Sequence, residues 1–577
     1  MVWNALTEGL SEALRGIGLW SEARIAQLEL AIPRDPAHGD WTTNLALLLA
    51  KDAKTSPRAL AESLARAFPR DPALFAGVEI AGPGFLNFRY APAFLAALPA
   101  RVVAGGEGFG RSTGGGGCSV LVEYVSANPT GPLNVVSARA AAVGATLVRL
   151  LVATGHHAEG EFYVNDAGTQ VDLLGASVAA RFAERLGVAR ALPEQGYLGA
   201  YIGDLAEGLR ADEARAALER GDDAWFRDQA LERMVEGQRR DLSDYGAEFS
   251  RWFRESSLHR AGAVQETLAE LEARGMIYRA RAPEAWSGDR PPGRDDEEGA
   301  GEARGEATYL RTHRFGDDVD RVVVRANGAP TYLLPDIAYH RDKHARGFRH
   351  AIDLWGPDHH GYIPRMKAAL QALGLEPDFL EVMIVQQVNL RSKGAPVKMS
   401  KRAGEFVTLR ELMDDVGADS AKFFFLMRST SAHLDFDLDL ARTQNDENPA
   451  FYVQYAHARI ASIVRYGAER GLTAGTGSIT LDQPEETALV RKLAAFPEVV
   501  RGAAAAREPH RLPTYLGELA AEFHRFYHAC RVISDDAARS RERLLLSEAA
   551  RIALRNGLAL MGVSAPERME RETEAVS

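Results

Sequence analysis

Cysteine is nearly absent from this chain. Cys118 and Cys530 are the only two in 577 residues, far apart and without CxxC or Cys/His spacing. No disulfide framework or zinc site follows, and both read as buried small apolar groups in a reducing cytoplasm. Also lacking is any run of about 18 uncharged apolar residues, so no membrane span is expected. The opening MVWNALTEGLSEALRGIGLW carries Glu8 and Glu12 in an amphipathic helical pattern, which excludes a signal peptide. No internal repeat is evident. Positive charge is short as well: the net of −11 argues against indiscriminate nucleic-acid binding. Yet residues 441–577 hold 18 Lys+Arg and 18 Asp+Glu, so the whole surplus lies in residues 1–440. Of those 18 C-terminal cations 17 are Arg, the side chain suited to phosphate forks. A nucleic-acid partner is permitted there.

What remains is ordinary for a globular protein, with a hydrophobic fraction of 46% and a charged fraction of 25%. The length suggests three or four domains. Residues 1–104 open with amphipathic helices and reach VEIAGPGFLNFRY (Val78–Tyr90), which reads as a short strand pair around Gly-Pro-Gly. Residues 105–117 contain eight glycines and read as a linker, without the GxxxxGK[ST] order of a phosphate loop. From Val120 a buried-type strand, VLVEYVSA, runs through a Pro/Gly turn into an Ala-rich helix from about Ala138 to Ala153. That is the first βα unit of a doubly wound, Rossmann-like α/β domain spanning residues 118–439. Within it, helices are expected from about Val171 to Met276, and Ala282–Ala307 reads as a flexible acidic excursion. β/α alternation then resumes with DRVVVRANG, YLLPDIAYH, HAIDLWGPDHH and DFLEVMIVQQVNL. Residues 440–577 read as all-helical.

Two stretches carry chemistry. In LVEYVSANPTGPLNVVSAR a strand, a turn and a helix N-terminus would set backbone N–H groups beside an anion, though a well-capped βα turn reads the same way. Glu123, Ser126 and Asn128 leave the strand's C-terminal end, where ligands bind in open α/β sheets. In GAPVKMSKRAGEFVTL, Lys398, Lys401 and Arg402 sit with Met399, Ser400 and Gly404 in a loop after the strand EVMIVQQVNL. Such cations are suited to neutralising a departing pyrophosphate.

With VEYVSANPTGPL, EFYVNDAG, TYLLPDIAYH, LWGPDHHGY, VKMSKRAG, DFDLDLA, NDENPAFYVQYAHARI and GVSAPERM also present, the chain resembles a class I aminoacyl-tRNA synthetase. More narrowly, it resembles a bacterial arginyl-tRNA synthetase through nearly its whole length. The resemblance implies a doubly wound catalytic core, an α+β N-terminal domain that touches the tRNA elbow, and an all-α anticodon-binding domain. It implies an arginine pocket of Glu123, Ser126, Asn128, Tyr332 and Asp336, with Asp358 as an addition. A guanidinium needs carboxylates in fork geometry. Asp336 could instead cap the following helix. ATP would be held by Asn134, Val136, Ser137, Gly356, His359, Lys398, Met399, Ser400 and Lys401, with Lys401, Lys398, Asn134 and Ser137 acting on the phosphates. Mg²⁺ would travel with ATP, so no protein metal motif is expected. Phe85 and Asn87 would meet the tRNA elbow, and Tyr452, Gln454, Tyr455 and Arg459 the anticodon, although aromatics at helical spacing also serve cores. A cytoplasmic monomer without membrane partner is expected.

The chain departs from that family at one place. Where relatives carry His-Val-Gly-His or a close variant, this sequence has Asn134-Val135-Val136-Ser137. Asn134 keeps a donor of similar reach, Ser137 one on a shorter arm, and Val136 puts a branched side chain where adenine should pack. Two readings follow: an arginine–tRNA ligase, or a paralogue that binds tRNA or arginine without activating it.

Overall fold

The computed structural model describes residues 2–33, 35–281, 305–397 and 407–569. The chain begins with helix α1 (Val2–Gly16) and a small antiparallel sheet. In it β1 (Trp41–Thr43) pairs with β3 (Phe85–Tyr90), and β3 with β2 (Phe75–Ala81). The expected hairpin is therefore present. Helix α2 (Pro57–Ala67) starts where Ser56 accepts from Ala59 N–H and Pro57 sets the first turn. Helix α3 (Pro92–Gly105) closes this unit over a core of Leu10, Trp41, Leu64, Phe75 and Phe88.

The glycine-rich stretch is a packed strap. Gly110, at φ +96, lies against the Phe496 ring so closely that an added Cβ would fall 2.4 Å from it. Asn556 Nδ2 donates to Gly106 O at 2.8 Å and Phe109 O at 3.0 Å. The strap is thus bonded to the C-terminal helices.

A five-stranded parallel sheet follows. Its strands in chain order are β4 (Ser119–Glu123), β5 (His157–Val164), β6 (Arg251–Arg254), β10 (His350–Trp355) and β11 (Leu380–Ile384), in the spatial order β11-β10-β4-β5-β6. The chain leaves β4 toward one edge and later returns to the other, so the switch point lies between β4 and β10. Helix α4 (Val135–Ala153) follows β4 and is buried for most of its length; it begins three residues before the expected Ala138 because Asn134 caps it. Gly144 lets the Tyr124 ring press onto this helix, where a Cβ would sit 2.2 Å away. α4 is long and apolar enough to cross a membrane by length and composition, but 72% of its apolar window is buried inside the protein.

Helices α5 (Thr169–Arg185) and α6 (Asp223–Asp244) fill the stretch read as helical, with β6 as an unexpected strand inside it, leading into α7 (Glu255–Arg260). Next comes an antiparallel sheet of β7 (Ile277–Arg281), β8 (Glu306–Leu310) and β9 (Arg321–Val324). DRVVVRANG accordingly belongs to this side sheet and not to the parallel one. The excursion expected at 282–307 falls mostly outside the described residues, and its last two residues, Glu306 and Ala307, start β8. Helix α8 (Leu333–Ala345) precedes β10.

The apparent single strand EVMIVQQVNL is broken. β11 ends at Ile384, and β12 (Val388–Ser392) pairs antiparallel with β13 (Ala395–Pro396) and parallel with β14 (Leu434–Asp437). Helix α9 (Ala418–Leu426) lies between β13 and β14. The tail is helical as expected: α10 (Pro449–Ala468), α11 (Pro484–Ala505), α12 (Arg511–Ala529) and α13 (Ala537–Met561). Cys530 is buried there, while Cys118 is only half-buried.

Candidate functional site

Register builds the base of the site. β10 pairs Asp353 with Glu123 on β4, β4 pairs Glu123 with Glu161 on β5, and β5 pairs Glu161 with Arg251 on β6. Three buried acids therefore stand side by side on one face of the sheet. Like charges so placed repel, and α8 supplies the cations. Its residues 336, 339, 340, 343 and 346 share one helical face turned to this row. Lys343 Nζ donates to Glu123 Oε2 at 2.6 Å and to Asp353 Oδ1 at 2.8 Å. His340 Nε2 lies 2.8 Å from Asp353 Oδ2, and its Nδ1 donates to Asp336 O at 2.8 Å. Arg346 forks onto Glu161 at 2.7 and 2.8 Å, and Tyr339 OH adds a third donor to the same carboxylate at 2.7 Å.

Above the row the chain turns sharply. Val125 (φ +71) and Ser126 (φ +39) both adopt left-handed backbone, unfavourable for non-glycine residues by about 1–3 kcal/mol each. The turn brings Ser126 Oγ back to donate to Glu123 Oε1 at 2.8 Å and to accept from Tyr163 N at 3.1 Å. Asp336, in the first turn of α8, accepts from Tyr362 OH at 2.9 Å and caps nothing; Tyr332 holds the cap position. Glu255, at the start of α7, is nearby. With its amide turned to donate, Asn165 reaches Glu255 Oε2 at 2.9 Å. Burial pushes the Asp336 carboxyl up to about 6, with Glu255 and Glu123 adding to the rise against Tyr362 and His340. Burial also raises Glu123 and Glu255. Asp353 is held down to about 2, because Lys343 and His340 outweigh its burial. Lys343 is raised: its two carboxylates overcome a burial that would lower it.

The sequence-expected pocket residues divide. Glu123, Ser126 and Asp336 meet over the sheet. Tyr332 stands 64% exposed at the rim, and Asn128 is exposed, donating to Gln170 Oε1 at 2.9 Å. Asp358 lies exposed on the 3-10 turn Pro357–Tyr362; the residue that turn sends to Asp336 is Tyr362. The sequence reading missed Tyr362, Lys343, His340, Asp353 and Glu255. For His340 and Lys343 the available signal was polar residues at helical spacing after TYLLPDIA, which read equally as a wet helix face; Tyr362, Asp353 and Glu255 lie on other elements and gave none.

At the start of α4, Asn134 Oδ1 accepts from Val136 N at 3.0 Å and Ser137 N at 3.1 Å, with Ser137 Oγ at 3.4 Å. Two first-turn N–H groups of α4 are therefore already satisfied by the cap, contrary to their expected exposure to an anion; the Asn134 amide nitrogen is its remaining donor. Val136 is half-buried and packs against the hydrophobic core. Arg139, fully buried, donates to Gln386 O at 2.9 Å and Ser429 O at 2.8 Å, fixing the break after β11. Burial lowers its guanidinium to about 10. Gly356 and His359 follow β10, with the exposed His359 ring 6.2 Å from that of Trp355. Lys398, Met399, Ser400, Lys401, Arg402 and Gly404 lie outside the described residues. The next segment is anchored beside the cap: Leu409 N donates to Leu133 O at 2.8 Å, and Thr408 bridges Asn134.

On the helical tail, the Arg459 guanidinium lies between the rings of Tyr455 (5.5 Å) and Tyr527 (4.8 Å). Tyr452 packs against His524. Gln454 is committed elsewhere, donating to Asp419 Oδ2 and Ser564 O. In the N-terminal unit Phe85 is 39% exposed, but Asn87 is buried at 4% and is not placed to meet a partner directly.

Comparison with known proteins agrees in extent. Residues 4–90 match the family model described as arginyl tRNA synthetase N terminal domain, and residues 453–569 that of the DALR anticodon binding domain. The chain is 44% identical to the arginine–tRNA ligase of Geobacillus kaustophilus, over 98% of each chain. Identity to that of Moorella thermoacetica is also 44%, again over 98% of both. The solved arginyl-tRNA synthetase of Thermus thermophilus shares the fold at a TM-score of 0.75 and 24% identity, covering 99% of this chain and 100% of that one. A Mycobacterium tuberculosis methionyl-tRNA synthetase shares it more loosely, at a TM-score of 0.54 and 14% identity over 78% of this chain and 92% of that one.

Proposed function

This chain belongs to the arginyl-tRNA synthetase family, and from that premise we propose that it is an arginine–tRNA ligase. ATP and arginine form arginyl adenylate with release of pyrophosphate. The terminal ribose of tRNA(Arg) then attacks the adenylate carbonyl and AMP leaves. The observation that carries this reading is the acid-rich pocket at the ends of β4 and α8. Asp336 stands near enough to Glu255 and Glu123 for both to raise its carboxyl, and Lys343 is shared between Glu123 and Asp353. A guanidinium with its five donors, accompanied by an ammonium, suits such a space. A neutral analogue leaves buried acceptors unpaired and is rejected strongly, so no editing site is required.

In this reading arginine lies over β4 and ATP beside the start of α4, on the two sides of the switch point. Tyr332 closes the rim, and Ser126 and Asn128 orient the α-amino end. Asn134 and Ser137 offer donors to the phosphates, and Lys398 and Lys401 neutralise the charge that grows on pyrophosphate. Gly356 and His359 border the ribose and adenine. Mg²⁺ arrives on the ATP phosphates. Phe85 touches the tRNA elbow, and Tyr452, Tyr455 and Arg459 contact the anticodon. Residues 1–104, 118–439 and 440–577 act as elbow-binding, catalytic and anticodon-binding domains of a cytoplasmic monomer. The altered turn Asn134–Ser137 is what a silent paralogue would rest on, and the full-length relatives, arginine–tRNA ligases, give that reading no support.

The test is arginine-dependent ATP–pyrophosphate exchange with tRNA(Arg) present. No exchange at high enzyme concentration overturns the proposal. Combining Asn134→His, Val136→Gly and Ser137→His then measures how far the altered turn limits the rate.

A further inference from the structure

We propose that Lys343 is a positioning residue for the amino-acid pocket: from the buried face of α8 it fixes the Glu123 carboxylate, as an anion in one orientation, for the substrate guanidinium. The proposal rests on arginine being the substrate and adds a residue that touches neither substrate nor nucleotide. Lys343 is 0% exposed, deep in the row of acids, with its Nζ bonded to Glu123 and Asp353.

The geometry is specific. Glu123 Oε2 takes the lysine at 2.6 Å and Oε1 takes Ser126 Oγ at 2.8 Å. Each oxygen keeps a second lone pair, so the carboxylate is locked in rotation while still able to accept from a ligand above it. From Lys343 the bonded path continues through Asp353 and His340 to the backbone oxygen of Asp336. One buried relay thus ties together two of the three acids that the pocket presents, Glu123 at the end of a strand and Asp336 on a helix.

Removing the lysine would have a definite electrostatic result. Glu123 and Asp353 are direct neighbours across adjacent strands, about 4.8 Å apart in backbone. Without a shared cation, repulsion and burial both favour protonating one of them. Burial already pushes Glu123 up, while Asp353 keeps His340 as a second partner, so Glu123 takes the proton. Other charged or titratable groups facing this cluster are Tyr339 and Asp336 on α8, Glu161 with Arg346 along the row, and Tyr163 and Glu255 across the pocket. None of them is a second cation within bonding reach of Glu123 among the described residues. A protonated Glu123 binds arginine poorly and recovers as pH rises.

The experiment uses the full chain with tRNA(Arg) and compares wild type with Lys343→Met between about pH 6 and 9. KM for arginine should rise at least about tenfold near neutrality, the effect of about one unit of proton affinity. KM for ATP should stay unchanged, and the arginine deficit should shrink toward the alkaline end. An arginine KM equal to wild type at every pH overturns the proposal. So does a rise that is the same for arginine and ATP and flat with pH, the mark of a merely structural loss. If Lys343→Met fails to fold, Asp353→Asn gives the opposite sign: freed of its repelling neighbour, Glu123 ionises more readily and arginine KM at about pH 6 falls below wild type. A rise there overturns the proposal equally. Wild-type charging of tRNA reports on the ligase reading by itself, so a wild type that charges beside an unaffected Lys343→Met sinks the positioning role alone.

Discussion

Exchanging Asn134 for aspartate and, separately, for alanine divides the two jobs this residue holds at the start of α4. Its amide oxygen caps the helix through Val136 N and Ser137 N, at 3.0 and 3.1 Å. Alanine loses that cap, which is worth about 1 kcal/mol, so local opening should make the Val136 and Ser137 amides exchange hydrogen about fivefold faster. Aspartate presents an oxygen to the same two groups and adds about 0.3–1 kcal/mol from the helix dipole, so their protection should hold or improve. The amide nitrogen is absent in both variants. If it is the donor that steadies the ATP phosphates, each should lose about 10²–10³ in pyrophosphate exchange, the usual result of deleting one oriented donor worth about 2.7–4 kcal/mol. The stability loss of about 1 kcal/mol in alanine cannot supply that factor, and in aspartate it is missing altogether. Hydrogen-exchange mass spectrometry on the peptide spanning the turn gives the first readout, and labelled pyrophosphate incorporation the second. Aspartate opening as fast as alanine refutes the cap, and wild-type exchange of pyrophosphate in either variant refutes the donor.

Asp336, with its carboxyl at about 6, should make arginine KM climb about tenfold per pH unit below that value and level off above it, because the carboxylate is the binding form. The sign for the ligand-free fold is opposite: a raised carboxyl favours folding while protonated, and this contribution disappears as pH rises from the ordinary range through about 6. A flat arginine KM between about pH 5 and 7 would contradict both. Arg346→Met leaves Glu161 buried without its fork and should destabilise the core by about 3–5 kcal/mol; adding Glu161→Gln should recover much of that in thermal unfolding. Tyr455→Ala removes a stacking face worth about 1–3 kcal/mol per base, so tRNA KM should rise at least about fivefold while arginine KM stays put. Equal tRNA KM values would assign Tyr455 to the core beside Phe451.

Much of this architecture could be read from residues alone, where local signals and the final fold agree. The turn through Pro129, Gly131 and Pro132, the hairpin at Gly82-Pro83-Gly84 and the helical tail follow from backbone chemistry and periodicity. Three features escaped for physical reasons. β6 is four residues, Arg-Trp-Phe-Arg, between helical segments, and only pairing with β5 makes it a strand. The break in EVMIVQQVNL lies at Gln386-Gln387, where Arg139 from α4 holds a carbonyl; nothing in the local pattern announces so distant a partner. Most instructive is α8, whose polar stripe of Asp336, His340 and Lys343 reads as a face in water. Its partners are acids on strands β4 and β10, and burial of both sides became visible only when the register was known. The altered turn was legible as a change of residues, but not the extent to which Asn134 spends its oxygen on its own helix.

Helix α4 packs against α11 and α13 of the C-terminal bundle as well as against the sheet. Its two ends therefore belong to different tasks on one rigid rod: the first turn is capped by Asn134 where the phosphates are proposed to bind, and the far flank is the floor on which the C-terminal helices rest. The enzyme is thus poorly suited to dissection. A fragment ending near residue 440 would bare to water the flank of α4 that the C-terminal helices cover, on a helix whose only charges are Arg139 and Arg149. Such a fragment invites aggregation or capture by a lipid surface, whereas the intact chain hides the same rod between its two halves. Engineers wishing to exchange anticodon specificity should therefore replace surface residues of the bundle and leave its buried seat untouched.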